Sequence, residues 1–380
     1  MPQPDPVTLT RSTAQRGSGL GRILRISTCL LLLAWICHAI FRSQAVHSTP
    51  PERWATMSRS EQWTASWTEG PKELLHTLSR LQRSAMVSSL AVMGAILLFS
   101  TARWRMVLSV HGLNLPWSRA LEISLVAHFF NSFLLGSAGG DVMRAIYAAR
   151  ETHHKKTEAV ITVFVDRILG LWSLLIFACL MMIPNRALIL NHTYLKSCCL
   201  LVIGMTVVGT VLVALAFRGG LTARWQRPRK LLAKLPLAAT LERSLRACRR
   251  FGKEPKFFRR ILAISMGMNL LSVLHVQVIA NGLQSMPLDP LLTALIVPVI
   301  TVIIALPITP NGLGMREYLF VYLLSAAPLG LDATAALSLS LWAYAGSLFW
   351  SLVGGIVYLT FKQKHHLDEV IAGPSLETGK

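Results

Sequence analysis

Five stretches of this chain contain no charged residue: Ser84 to Ala102, Ile168 to Asn185, Ser197 to Phe217, Pro290 to Met315 and Ala333 to Phe361. Each is close to or longer than the ~20 apolar residues that carry a helix across a bilayer. A soluble helical core rarely holds five such runs, because surface helices keep a polar face. In hydrocarbon, backbone groups must be paired within the segment itself, which leaves α-helices for runs of this kind. The fold class expected is an all-α polytopic membrane protein. Composition agrees: 15% of residues are charged, against about 25% in soluble domains.

The net charge is +20. In a soluble protein that excess would suggest nucleic acid, but no recognised nucleic-acid motif accompanies it. The basic residues instead gather between the apolar runs, as topology signals and contacts for anionic lipid headgroups do. The loop 218–260 holds fourteen Lys and Arg against Glu242 and Glu254, so it is expected in the cytoplasm. The same rule places Arg150 to Lys156 and the tail 362–380 there. Five of the six cysteines lie in or beside apolar runs, and no Cys-x-x-Cys occurs. They read as small buried side chains rather than as a metal or disulfide framework.

Residues 1–21 are Pro-, Ser- and Gly-rich and are expected to be a disordered cytoplasmic terminus. The apolar stretch Ile26 to Phe41 follows. Ser43-Gln44-Ala45 would suit a cleavage site, but the long polar leader favours a retained helix. The rest of 22–83 is polar and mixed in charge, with Trp54, Trp63 and Trp67 and with leucines at helical spacing. An extracytoplasmic loop or an interfacial amphipathic helix both fit that pattern.

These assignments conflict unless two segments of 84–361 fail to cross. If 120–138 spanned the membrane, the fourteen-charge loop would fall outside. The conflict vanishes if 120–149 enters from the cytoplasm, breaks at Gly139-Gly140 and returns. The same parity requires 290–328 to enter from outside and break near Pro307 to Gly314. Six full spans are expected, near 24–41, 84–102, 159–183, 197–217, 261–283 and 333–361. The first membrane-crossing helix of the main region is expected to end at Arg103 and Arg105. Two broken segments of opposite orientation, compatible with an inverted repeat, complete the map. Interrupted segments in the two halves mark the binding site of many transporters.

Each break carries an arginine beside a carboxylate. The first reads Gly139-Gly140-Asp141-Val-Met-Arg144, and the second Asn311-Gly312-Leu-Gly314-Met-Arg316-Glu317. Glycine permits tight turns and close backbone approach. A helix start favours anions, and arginine suits bidentate phosphate contact. Asp166-Arg167 lies inside the span 159–183, where a charge costs about 2.5–3.5 kcal/mol on insertion scales. Asp141 or Glu317 could pair with it, either to dock helices or to build a site. The substrate-binding candidates are Gly139, Gly140, Asp141, Arg144, Asp166, Arg167, Asn311, Gly312, Gly314, Arg316 and Glu317. His128, Asn269, His275 and Gln277 are intramembrane polar residues of the kind that more often join helices. His153-His154 and His365-His366 lack metal-site spacing. No metal or cofactor is expected. Gly-x-Ser-x-Gly, His-Glu-x-x-His and Walker-type motifs are missing, so no enzyme activity is expected either.

The motifs Asn131 to Tyr147, Asp166-Arg167 with Gly170, and Pro307 to Glu317 resemble the transmembrane region of lysylphosphatidylglycerol synthases, over roughly 84–360. That flippase-like family commonly has Glu-Arg where Asp166-Arg167 stands, and a proline where Leu135-Gly136-Ser137 stands. The resemblance implies moving or binding lipids across the inner membrane, with a phospholipid or lipid-linked partner; the charge parity places both termini in the cytoplasm. Only 19 residues follow the last span, so the aminoacyl transferase domain of the full-length synthases is not expected here. The expected function is a lipid translocase. A membrane-embedded transferase with Asp141 or Glu317 as base, or a lipid-presenting subunit of a partner enzyme or homo-oligomer, are the alternatives.

Overall fold

The structure is a computed structural model. It describes residues 41–360 apart from 43, 47, 80, 111, 134–138, 152–155, 219–254, 284–287, 306–314 and 326–332, together with Ser27, Ala34 and His38. All secondary structure among the described residues is helical. After helical residues within 41–48 come three short helices: α1 (Pro51–Thr56), α2 (Arg59–Thr68) and α3 (Gly70–Ser79). The transmembrane region follows as α4 (Arg83–Val110), α5 (Trp117–Phe133), α6 (Gly139–Glu151), α7 (Lys156–Met182), α8 (Arg186–Asn191), α9 (Thr193–Arg218), α10 (Pro255–Gly282), α11 (Pro290–Ala305), α12 (Met315–Ser325) and α13 (Ala333–Thr360).

Five helices are long and apolar enough to cross a membrane: those at Arg83–Val110, Glu158–Met182, Thr193–Leu215, Lys256–Gly282 and Ala335–Thr360. They correspond to five of the six expected spans. The sixth, 24–41, lies almost wholly outside the described residues. The two expected broken segments each appear as two short helices. Their lengths are 17 and 13 residues for α5 and α6, and 16 and 11 for α11 and α12. None reaches the ~20 residues of a span.

Contacts at the helix ends show how these pairs are threaded. Arg119, at the start of α5, donates from Nε to Oε1 of Glu151 at the end of α6, at 2.6 Å. The first hairpin therefore enters and leaves at one end of the bundle, where α7 begins. Asn185, just beyond the other end of α7, donates to the carbonyl of Leu291 at the start of α11, at 3.1 Å. Tyr194, nearby on α9, packs edge-on against Tyr322 near the end of α12. The second hairpin therefore opens at the end opposite the first, which is the opposed arrangement that the charge parity requires.

Two expected boundaries change. The helix over 84–102 does not stop at Arg103 and Arg105; α4 continues to Val110, and Arg103 is 8% exposed. An internal carboxylate partner lets it stay inside. Gly139 and Gly140, expected as the break of the first hairpin, are instead the first residues of α6; 134–138 lie outside the described residues. Of the N-terminal tryptophans, Trp63 and Trp67 are exposed. Trp67 donates from Nε1 to His38 Nδ1 at 3.0 Å.

The core is a set of apolar clusters between helices. One joins α10, α11, α12 and α13 through Ile279, Ile296, Phe320 and Leu339. Another joins α4, α5, α6 and α13 through Trp104, Ile123, Tyr147 and Tyr344. Helix α13 belongs to both and so links the two hairpins. It meets α5 closely, since a Cβ at Gly354 would lie 2.1 Å from the Leu125 carbonyl oxygen. Small residues permit such approach where no hydrophobic force drives helices together.

Candidate functional site

The first hairpin is closed by Asn131 and Gly140. The Asn131 side-chain oxygen accepts from the Gly140 N–H at 2.9 Å, which satisfies a free donor at the start of α6. A Cβ at Gly140 would lie 2.0 Å from the Ala127 carbonyl oxygen. Glycine is therefore required by contact between α5 and α6. This anchors the first turn of α6, which carries Gly139 and Asp141, and one turn later Arg144.

Asp141 and Arg144, the charged residues of the first two turns of α6, turn toward α7. Asp141 pairs with Arg167. Arg144 lies 3.5 Å from Asp166 Oδ2. Its guanidinium carbon stands 4.9 Å from the ring centroid of Trp104 on α4, within cation–π range. Asp166 is already engaged. Arg103 on α4 donates from Nε to Oδ1 at 2.8 Å and from NH2 to Oδ2 at 3.2 Å. Its NH1 reaches Ser265 Oγ on α10 at 3.1 Å. Gly170 makes the room, because a Cβ there would lie 2.9 Å from the Arg103 NH2.

Four helices thus meet at one polar knot. It contains three guanidinium groups (Arg103, Arg144 and Arg167) and two carboxylates (Asp141 and Asp166), leaving one net positive charge inside the bundle. Two donors in the stacked pair have no hydrogen-bond partner among the described residues: Arg144 Nε and Trp104 Nε1, both buried. Buried donors are nearly always satisfied in native proteins, which singles out this pair among the described residues.

The second hairpin carries a smaller polar group. Arg316 and Glu317 open α12 and pair with each other. Glu317 is 2% exposed. Arg316 also donates from Nε to Ser340 Oγ at 3.3 Å, and its guanidinium carbon stands 4.1 Å from the ring centroid of Tyr344. Tyr344 and Trp104 share one apolar cluster. The two arginine–aromatic stacks therefore flank the same cluster, one from each hairpin. Asn311, Gly312 and Gly314 lie outside the described residues.

The family model for the lysylphosphatidylglycerol synthase transmembrane region matches residues 62–354, which include both hairpins and every described residue of the site. This chain belongs to that family. No individual curated protein matches it. Membership makes it a lipid-related integral membrane protein, as the resemblance of its three motifs implies.

Within this family member, the structure brings Asp141, Arg144, Asp166 and Arg167 into one network and sets Arg316 with Glu317 in a second. Asp141 partners Arg167, one of the pairings open from sequence, and Glu317 pairs with Arg316. Three contributors escaped the sequence reading: Arg103, Trp104 and Ser265. Arg103 closes a charge-free run, the position at which a helix end is expected. The available signal was that Asp166, an intramembrane carboxylate, needs a cation at matching depth. Gln277 joins helices as expected: Thr293 donates to its Oε1 at 2.7 Å, and its Nε2 reaches the Leu288 carbonyl. Among the described residues no group of His, Cys, Asp and Glu has the arrangement of a metal site.

Proposed function

We propose that the chain moves anionic or lipid-linked substrates across the membrane by passing their phosphate between the two hairpins. The observation that carries this reading is the Arg144–Trp104 stack, with its two unpartnered buried donors beside a net positive charge. A phosphate oxygen would satisfy those donors and cancel that charge. Arg103 and Arg167 are held by Asp166 and Asp141, which leaves Arg144 as the cation least committed to a carboxylate. Arg316, stacked on Tyr344 across the shared cluster, would receive the phosphate from the opposite end. The low dielectric strengthens such contacts, while the neutral Arg316–Glu317 pair keeps the second station weak enough to release. No bond is made or broken. The basic loop 218–260 would gather anionic lipid at the cytoplasmic face of the inner membrane.

The test is reconstitution in vesicles containing a labelled anionic phospholipid, with translocation read by quenching of the label on one leaflet. Arg144→Gln and Arg316→Gln should each slow translocation at least ~10-fold, the loss of about 1.4 kcal/mol of stabilisation. Parent-like rates in both folded variants would refute this site.

A further inference from the structure

Two histidines inside the bundle grip α13, and they do so differently. His128 on α5 directs one ring nitrogen, Nε2, at Ser347, 3.1 Å from its carbonyl oxygen and 3.3 Å from its hydroxyl. One N–H is enough for that contact. His275 on α10 uses both. Its Nδ1 lies 3.0 Å from the carbonyl oxygen of Ser89 on α4, and its Nε2 lies 3.3 Å from the carbonyl oxygen of Ala343 on α13. Carbonyl oxygens only accept. A neutral imidazole has a single N–H, so it can serve one of these oxygens and must turn a lone pair to the other. Only the imidazolium donates to both.

The site is built for this ring. His275 is 5% exposed. A Cβ at Gly346 would lie 3.1 Å from His275 Cε1, so glycine leaves the ring its place between α10 and α13. The other ties in this region hold α4 to α13 without an ionisable group: Trp350 on α13 donates to the Leu90 carbonyl at 2.9 Å. Helix α10 packs on α4, α7, α11 and α13. No charged residue occurs on α4 between 84 and 102, on α7 after Arg167, on α10 after Arg260, or anywhere on α11 and α13. The titratable residues within those stretches, besides His275 itself, are Cys179 on α7 and Tyr344 and Tyr358 on α13. The groups beyond them are Arg83, Arg103 and Arg105 on α4, Lys156, Glu158, Asp166 and Arg167 on α7, Lys256, Arg259 and Arg260 on α10, and Asp289 before α11. No carboxylate stands within those stretches, and the structure sets two carbonyl oxygens against the ring.

We infer that His275 is a proton-binding site, occupied when α13 is docked, whose imidazolium ties α13 to α4 and α10. Loss of the proton releases the longer contact, to Ala343, and with it the grip on α13. Helix α13 joins both hairpins, so proton occupancy would bias their relative packing. This goes beyond lipid handling and can fail or hold independently of it.

The experiment is solid-state NMR of the full chain, labelled with 15N-histidine, in lipid vesicles between about pH 5 and pH 8. The His275 resonances are assigned by their loss in His275→Asn. The expected result is a His275 ring with both nitrogens protonated at the acid end and one nitrogen deprotonated at the alkaline end, with His128 remaining a neutral tautomer throughout. A single neutral tautomer of His275 across the whole range would overturn the inference. So would an imidazolium whose 15N couplings show no hydrogen bond to a carbonyl. The reading is taken on the parent protein, so a variant that misfolds is replaced by His275→Gln for assignment without changing either outcome.

Discussion

Arg103 holds Asp166 with two arms of its guanidinium, at 2.8 and 3.2 Å, from a helix 63 residues away in sequence. The two side chains are 9% and 5% exposed. This pair is the fixed part of the polar knot, and Arg144 stands beside it, 3.5 Å from Asp166 Oδ2 and stacked on Trp104. Desolvating the pair is costly, and replacing buried pairs by apolar residues is often neutral or stabilising. Its presence inside the bundle is therefore better explained by placement of Arg144 than by stability.

Removing one partner alone is a different matter. Asp166→Asn keeps the shape but leaves Arg103 and Arg144 without their carboxylate. Breaking a buried pair in this way costs about 3–5 kcal/mol. The expected outcome is a lower thermal unfolding midpoint in detergent, with Asp166→Glu intermediate. An unchanged midpoint for Asp166→Asn would mean that the pair is not formed.

Gly170→Ala tests the geometry from the other side. The new methyl would stand 2.9 Å from the Arg103 NH2, so the guanidinium must move off Asp166. Overpacking of this kind costs about 1–3 kcal/mol. Arg103→Lys has a smaller head and cannot make the bidentate contact. Combined with Gly170→Ala it should recover part of the loss, read as a non-additive double-mutant cycle in unfolding midpoints.

Gly140→Ala should be the most damaging glycine substitution in the first hairpin. The added atom would overlap the Ala127 carbonyl oxygen at 2.0 Å, and backbone yields less readily than a side-chain tip. Separation of α5 from α6 would also break the Asn131 cap, itself worth about 0.5–2 kcal/mol. Asn131→Ala alone should lower stability by the cap term only. Translocation rates and unfolding midpoints, measured together, distinguish the two variants.

The opposed hairpins predict a labelling pattern. In a background without native cysteines, a short bifunctional thiol crosslinker should join Arg119→Cys to Glu151→Cys, because the long side chains they replace meet at 2.6 Å. Single cysteines at Arg119 and at Tyr194 should react with an impermeant reagent from opposite faces of sealed vesicles. Reaction of both from one face would contradict the threading.

Much of this was legible because hydrocarbon imposes simple rules. Charge-free length gives the spans, and basic loops give their parity, so the two non-crossing segments followed from counting alone. The residues at Asp141, Arg144, Asp166, Arg167, Arg316 and Glu317 stood out because charges inside apolar runs are conspicuous. Arg103 did not, because it sits at the edge of such a run, where a positive residue ordinarily marks the interface. Trp104 was hidden for a similar reason: a tryptophan near a helix end reads as an interfacial anchor. Its role appears only when Arg144, from a distant helix, is laid over its ring. Ser265 had no signal at all, since a lone serine in a span is ordinary.

The central claim is that Arg144 holds a lipid phosphate, and native mass spectrometry of the detergent-solubilised protein with added anionic phospholipid tests it most directly. The parent should retain bound lipid after the detergent is stripped. Arg144→Ala should lose at least ~10-fold in retention, equal to about 1.4 kcal/mol, while Arg105→Ala, outside the knot, should retain lipid as the parent does. Equal retention by the parent and a folded Arg144→Ala variant would contradict the account.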